Sequence, residues 1–175
     1  MKRVWIIAGA ALMSSTLAHA DGFWRRGPDV APANNPQYQS ECGACHMAYQ
    51  PGLLPARSWQ RLMGDLANHF GDDASLSDQT RKALTDYLTL NAADRSDYRR
   101  SQKIMQTLDA TDAPLRITET PYIRHKHGEI PARYITGNPK VGSLSNCAAC
   151  HSTAAKGDYN EHGVHIPGVG TWDDD

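Results

Sequence analysis

The stretch SECGACHMAY, at residues 40–49, holds two cysteines separated by two residues and followed at once by a histidine. The same arrangement returns in SNCAACHSTA, at residues 145–154. The chain has four cysteines, and these two copies use all of them. The chemistry that needs two Cys-x-x-Cys-His copies therefore decides what kind of protein this is.

The first 20 residues have the pattern of a secretory signal peptide. Lys2 and Arg3 are followed by an apolar run to about Met13, and alanines occupy positions 18 and 20. We expect cleavage before Asp21 and release into the periplasm. The apolar run is shorter than the ~20 residues that span a bilayer, which disfavours the alternative of an uncleaved anchor. We therefore expect no membrane insertion after cleavage.

The charge balance disfavours a nucleic-acid partner. The chain has 18 basic and 19 acidic residues, and loss of Lys2 and Arg3 with the signal leaves 16 against 19, or −3. This mild acidic excess lacks the basic footprint of proteins that bind nucleic acids. One basic cluster is predicted to form the solvated face of a helix: Arg95, Arg99, Arg100 and Lys103.

Disulfides and zinc are two alternatives for the four cysteines. An exported chain meets an oxidising compartment, so two disulfides are the ordinary expectation. A zinc ribbon also joins two Cys-x-x-Cys pairs, but those pairs usually lie about 15–20 residues apart. Here Cys45 and Cys147 are 102 positions apart. Neither alternative uses the histidine that follows each pair.

Covalent attachment of haem uses every residue of both motifs. Two thiols at this spacing can reach two vinyl groups of one porphyrin, and the adjacent histidine can ligate the iron beneath the ring. The sequence therefore predicts two haem c groups with iron. The thioether cysteines and proximal histidines are Cys42, Cys45 and His46 for the first group, and Cys147, Cys150 and His151 for the second.

His69 is the best-placed candidate for the distal side of one iron. A helix is predicted over residues 58–70, with Ser58 as its N-cap. On that helix His69 shares an apolar stripe with Leu66, which is the face expected to pack on a porphyrin. Met63 points away from the stripe, so we expect it to pack rather than to ligate.

Four histidines remain as candidates for the other iron. His125 and His127 lie in TETPYIRHKHGEIPARY, residues 118–134, which we expect to be extended. Side chains two residues apart in an extended chain point the same way, so spacing does not choose between them. His162 and His165 are expected to belong to a solvated loop, with a return over the haem as the alternative.

Several segments resemble the small, bis-histidine dihaem cytochromes c of the bacterial periplasm. These are the first haem motif, RSWQRLMGDLANHFGDDASLS, YLTLNAADRS, RITETPYIRHKHGEIP and the second motif, CAACH. The likeness covers about residues 38–168. The HFG that follows a helix and the HGEIP that precedes the second motif are its more specific parts.

The resemblance implies two histidine ligands on each iron. Its pattern falls on His69 and on His127 as the distal ligands, with His125 as the fallback for His127. Histidine in place of an axial methionine lowers the potential of a c-type haem, so a low-potential electron carrier is expected. The resemblance also implies a redox partner, either a membrane b-type cytochrome or a small oxygen-binding haem protein.

Other function classes stay open. A haem enzyme or gas-binding protein, with a peroxidase as the usual case, would leave one iron with an open axial position. A small electron-feeding subunit of a periplasmic reductase would also carry two bis-histidine haems in a chain of this length. A thiol or zinc protein is the last class. We expect no catalytic residues, and hence an electron carrier rather than an enzyme.

The chain is expected to be mainly helical with extensive loops, because apolar and polar residues do not alternate over any stretch long enough for a strand. The predicted division is a signal peptide at 1–20, a first haem-binding lobe at 21–110, and a linker with a second haem-binding lobe at 111–175. An irregular arm is expected over 21–37, where prolines and asparagines cluster. The tail ends in Asp173, Asp174 and Asp175.

Further helices are predicted at about 77–93 and 96–109. The first of these opens at Ser77 and Asp78. It is expected to carry four residues inward: Ala83, Leu84, Tyr87 and Leu88. After these helices we expect an extended linker to about residue 140, followed by a short haem-bearing helix.

Overall fold

The computed structural model of the protein describes residues 27–172. The predicted signal peptide, the start of the predicted arm and the three terminal aspartates lie outside the described residues. The regular elements are α1 (Pro36–Cys42), α2 (Ala56–Gly64), α3 (Asp78–Leu90), α4 (Arg99–Met105), α5 (Pro121–His127), α6 (Ala132–Ile135), α7 (Cys147–Cys150), β1 (His165–Ile166) and β2 (Gly170–Thr171). The two short strands form an antiparallel hairpin. The expected fold class, mainly helical with extensive loops, is confirmed.

Helix α3 begins where the sequence predicts. Ser77 Oγ accepts a hydrogen bond of 3.2 Å from the backbone N–H of Thr80, which satisfies one of the free donors of the first turn. Leu84 and Leu88 lie one turn apart and are buried where α3 packs on α2. Ala83, which was expected to face inward, is exposed instead.

Helix α2 is shorter than the predicted helix at residues 58–70 and begins earlier. Ser58, the predicted N-cap, is buried within the helix. The helix ends at Gly64, a residue of low helix propensity, and Asp65 leaves the helical region with φ −139° and ψ 51°. The continuous apolar stripe that was expected to carry His69 therefore stops one turn short of it.

The predicted extended linker is wrong, because it contains α5 and α6. Pro121 stands in the first turn of α5, where its fixed φ suits a helix and its missing N–H leaves no hydrogen bond unmade. Pro131 directly precedes α6. These prolines start helices here, although their presence suggested an extended chain. Helix α4 covers only part of the predicted 96–109.

The second Cys-x-x-Cys pair lies on a short helix, as predicted. Helix α7 spans the four residues Cys147–Cys150 and is followed directly by His151. His151 forms a β-bridge with Val164, which ties α7 to the segment that leads into the hairpin. Within residues 27–172, no helix has the length and apolar character needed to cross a membrane.

The core consists of three small clusters of buried side chains. The first joins α1, α2 and α3 and includes Tyr38, Trp59, Met63, Leu84 and Leu88. The middle cluster includes Val30, Leu53, Ile104, Ala154 and Tyr159. The third includes Ile135, Val141 and Ile166. The middle cluster unites residues from both sides of position 110, and the division into two lobes stays a prediction.

Leu88→Ala is expected to lower the free energy of unfolding by about 2–5 kcal/mol, because it leaves a cavity between α2 and α3. Leu90→Ala is the matched control on the same helix, since Leu90 is 66% exposed and Leu88 is 1% exposed. Denaturant titration of the haem-loaded protein measures both. Equal losses in the two variants would contradict the packing described.

Candidate functional site

His46 and His69 face each other next to the first Cys-x-x-Cys pair. Their ring centroids are 6.3 Å apart and their planes are inclined by 20°. His46 follows Cys45 in the turn after α1, and His69 follows a single 3₁₀ turn at Leu66–Asn68. The backbone N–H of His69 donates to Asp72 O at 2.8 Å, and the N–H of Asp72 donates to His69 O at 3.2 Å. This bridge fixes His69 although no α-helix carries it.

His127 and His151 form a second facing pair. Their ring centroids are 6.2 Å apart and their planes are inclined by 73°. His127 lies in the last turn of α5, and His151 follows α7. Both side chains line a cleft whose wall also contains Cys147 and Cys150. Each predicted proximal histidine is thus matched by one histidine from a distant segment.

The spacing of both pairs fits two imidazoles on opposite sides of one metal ion. Nitrogen–metal distances of about 2.0 Å and a ring radius of about 1.1 Å place such centroids about 6 Å apart. His46 Nδ1 lies 2.8 Å from Met47 O, and His127 Nδ1 lies 2.9 Å from Ile123 O. A carbonyl only accepts, so Nδ1 carries the proton in both rings and Nε2 is left with a lone pair for a metal.

The other two rings are also suited to ligation. Burial lowers the pKa of His151 to about 4, with further lowering by the charges of His127 and Arg100. Burial, and then the charge of His46, lowers the pKa of His69. Both rings are therefore neutral at pH 7, which is the form that binds a metal. Nδ1 of each is buried without a hydrogen-bond partner.

The four cysteines are free thiols rather than disulfides. Burial raises the pKa of Cys42 and of Cys147 to about 11 and also raises the pKa of Cys150. These thiols are protonated at pH 7, unlike the low-pKa thiols of disulfide oxidoreductases. Among residues 27–172, no three His, Cys, Asp or Glu side chains are grouped as ligands of one metal ion. The residues thus fit two attached porphyrins better than a thiol or zinc site.

The remaining candidate ligands belong to neither pair. Because α5 is a helix, positions two apart point about 200° apart. His125 is accordingly exposed, while His127 turns into the cleft. His162 and His165 are exposed. Met63 is 4% exposed within the first core cluster, where it packs as expected.

Sequence reasoning missed the side chains that join the two sites. Tyr49 stacks on His46, with centroids 4.9 Å apart, and its hydroxyl donates to Ser145 O at 2.5 Å. Gln50 is fully buried and donates through Nε2 to Ala154 O at 2.8 Å. The segment after the first motif therefore reaches both flanks of the second. No local pattern signals contacts between residues about a hundred positions apart.

Sequence reasoning also missed Tyr159. Its ring meets the ring of His151 edge-on, with centroids 5.5 Å apart. Its hydroxyl donates to Gln50 Oε1 at 2.6 Å. Tyr159 therefore connects the cleft to the segment that follows the first motif.

The expectation that Arg100 lies on a solvated helix face is wrong. Arg100 was placed with Arg95, Arg99 and Lys103 on a solvated helix face, and those three are exposed. The Arg100 side chain keeps only 15% of its area exposed, because it forms an ion pair of 3.1 Å with Asp29. Arg100 also lines the cleft of the second histidine pair.

The chain matches the family described as Dihaem cytochrome c over residues 38–159. The X-ray structure of the dihaem cytochrome type c of Shewanella baltica OS155 is 42% identical, with a TM-score of 0.66; the match covers 79% of this chain and 98% of that one. A dihaem cytochrome c of Rhodobacter sphaeroides is 46% identical, with a TM-score of 0.66, over 74% of this chain and 100% of that one. No curated protein matches this chain.

The two histidines of α5 provide a direct test of the second site. His127→Ala is expected to convert one low-spin iron to a high-spin iron that binds carbon monoxide, since it removes the ring that faces His151. His125→Ala is the matched control and should leave both irons low-spin. Visible and magnetic circular dichroism spectra measure the outcome. An open iron in His125→Ala, or two low-spin irons in His127→Ala, would contradict the assignment.

Proposed function

The chain belongs to the dihaem cytochrome c family, and from that premise we propose that it is a periplasmic, low-potential electron-transfer protein with two bis-histidine haems. Its cofactors are two haem c groups with iron. When bound, each supplies an iron that takes up and releases one electron. The observation that supports the proposal most is the pair of facing imidazoles, at 6.3 Å and 6.2 Å, beside each Cys-x-x-Cys pair.

We assign the ligands by these pairs. Cys42 and Cys45 would hold the first porphyrin, and His46 and His69 would ligate its iron. Cys147 and Cys150 would hold the second, and His127 and His151 would ligate its iron. Two imidazoles on each iron would leave no position for a substrate, which favours a carrier over a haem enzyme or gas-binding protein. Histidine in place of methionine also favours a low potential.

Fixed geometry between the two sites suits a carrier. Tyr49 spans from the ring of His46 to the loop before Cys147, and Gln50 spans from the same segment to Tyr159. These hydrogen bonds, of which the one between Tyr159 and Gln50 is buried, cost little reorganisation when charge moves, because their donors and acceptors are already paired. The two porphyrins would keep one separation and orientation through each cycle.

We propose that a redox partner docks at the first site. Cys45 and His46 are exposed, whereas the second pair lies in a cleft. Phe70, next to His69, is 44% exposed and offers an apolar centre. Exposed acidic residues lie on either side of His69 in the chain: Asp65, Asp72 and Asp73. A partner with a basic rim fits this surface, and a membrane b-type cytochrome or a small oxygen-binding haem protein is the proposed class.

The haem content is the first test of the function. A pyridine haemochrome assay should give two covalently bound haems per chain. The oxidised protein should be low-spin and should lack the far-red band of a methionine–iron bond. A single haem, no covalent haem, or a high-spin resting spectrum would contradict the proposal.

Charge reversal tests the docking surface. Asp65→Lys combined with Asp73→Lys should slow electron transfer to a basic mono-haem cytochrome c about tenfold or more at low ionic strength. The difference should shrink near 1 M salt, where the screening length is about 3 Å. Arg95→Glu combined with Arg99→Glu is the matched control on the other charged face. Stopped-flow kinetics measure the rates, and slowing in the arginine variant alone would move the docking surface there.

A further inference from the structure

Arg100 is a largely buried cation in the wall of the cleft that His127 and His151 line. Its Nη2 lies 3.1 Å from Asp29 Oδ2 and donates to Tyr159 O at 3.2 Å. The side chains of Arg100 and Asp29 keep 15% and 20% of their area exposed. The backbone N–H of Arg100 also donates to Asp29 O at 3.2 Å. The guanidinium is thus held by the Asp29 carboxylate and the Tyr159 carbonyl, and its Nη1 donates to the Tyr122 hydroxyl at 3.4 Å.

Two tyrosine rings lie beside this guanidinium. Its Cζ lies 5.5 Å from the centroid of Tyr159 and 5.9 Å from that of Tyr122. Both distances are within the range of cation–π attraction. Because Tyr159 also contacts the ring of His151, these contacts place the cation at a fixed position relative to that histidine.

Arg100 belongs to the wall of the cleft, whereas the carboxylate that pairs with it does not. Among the described residues that line the cleft, Arg100 is present and Asp29 is not. The two other charged residues of the wall, Lys126 and Glu161, form an ion pair of 3.0 Å with each other. Arg100 Nε is buried and has no hydrogen-bond partner. A buried charged donor without a partner is costly, so we expect an anion to accept a hydrogen bond from Nε–H.

We propose that Arg100 binds a carboxylate of the second porphyrin through Nε–H and thereby raises the reduction potential of that haem. The inference rests on the proposed function, because the porphyrin's carboxylates are the anions that this cofactor brings into the cleft. Guanidinium matches carboxylate geometry and stays charged at all relevant pH values. A cation beside the porphyrin stabilises the state that holds the extra electron. Asp29 acts as a positioning residue.

Arg116 provides a comparison at the first site. Its Cζ lies 3.8 Å from the centroid of the Phe70 ring, next to His69. Its side chain is 44% exposed, so water screens its charge. Arg116→Gln is therefore the matched control for Arg100→Gln.

The test uses the two-haem protein and two readouts. In Arg100→Gln, the resonance Raman bending band of the porphyrin carboxylates should shift for one haem. The reduction equilibrium constant of that haem should fall about tenfold, which is about 59 mV for a one-electron couple. Asp29→Asn should raise the same constant, because the cation loses its counter-charge. Arg100→Lys should keep most of the wild-type potential, and Arg116→Gln should change neither haem by more than about twofold.

Two results would overturn the inference. One is an unchanged Raman band with unchanged potentials in Arg100→Gln. The other is a shift of the same sign in Arg100→Gln and Asp29→Asn, which would mean that the pair matters only for folding. If Arg100→Gln does not fold, Asp29→Asn decides by the sign of its shift: a raised constant supports the inference, and a lowered or unchanged constant overturns it. Failure of the proposed function is distinguishable, because the wild-type protein would then lack one or both covalent haems.

Discussion

Two imidazoles from segments distant in sequence must be held about 6 Å apart for one metal ion to join them, and the small clusters of the fold meet this requirement twice. His69 follows the first motif's histidine by 23 positions, and His127 precedes the second motif's histidine by 24. The first cluster fixes the loop that carries His69 by packing α2 against α3. Helix α5 brings the ring of His127 to 6.2 Å from the ring of His151, which follows α7. A loop held by two packed helices thus positions His69, and a helix positions His127.

The helices that surround these sites are too short to be stable alone. Six of the seven described helices have four to nine residues, whereas isolated helices shorter than about 12 residues are marginal in water. Their stability must therefore come from tertiary packing. The wall of the cleft around His127 and His151 is lined largely by apolar side chains. Binding of a porphyrin there would bury that wall, so free energy of binding becomes free energy of folding.

Local patterns predicted the chemistry and part of the fold. The two Cys-x-x-Cys-His copies specify haem attachment through residues that are adjacent in the chain, and the Ser77 cap specifies the start of α3. Features that depend on tertiary context were missed. Gly64 ended α2 before His69, and prolines that suggested an extended segment began α5 and α6. The partner of Arg100 lies 71 positions away at Asp29, a distance over which no periodicity carries information.

The most direct test of two bis-histidine sites is the electron paramagnetic resonance spectrum of the fully oxidised protein at low temperature. The ring planes are inclined by 20° at the first site and by 73° at the second. Near-parallel imidazoles separate the energies of the iron d orbitals, whereas near-perpendicular imidazoles leave two of them almost equal. We therefore expect two low-spin ferric signals of equal weight, one rhombic and one highly anisotropic. A high-spin signal at rest, or two identical low-spin signals, would contradict the arrangement of His46, His69, His127 and His151 described above.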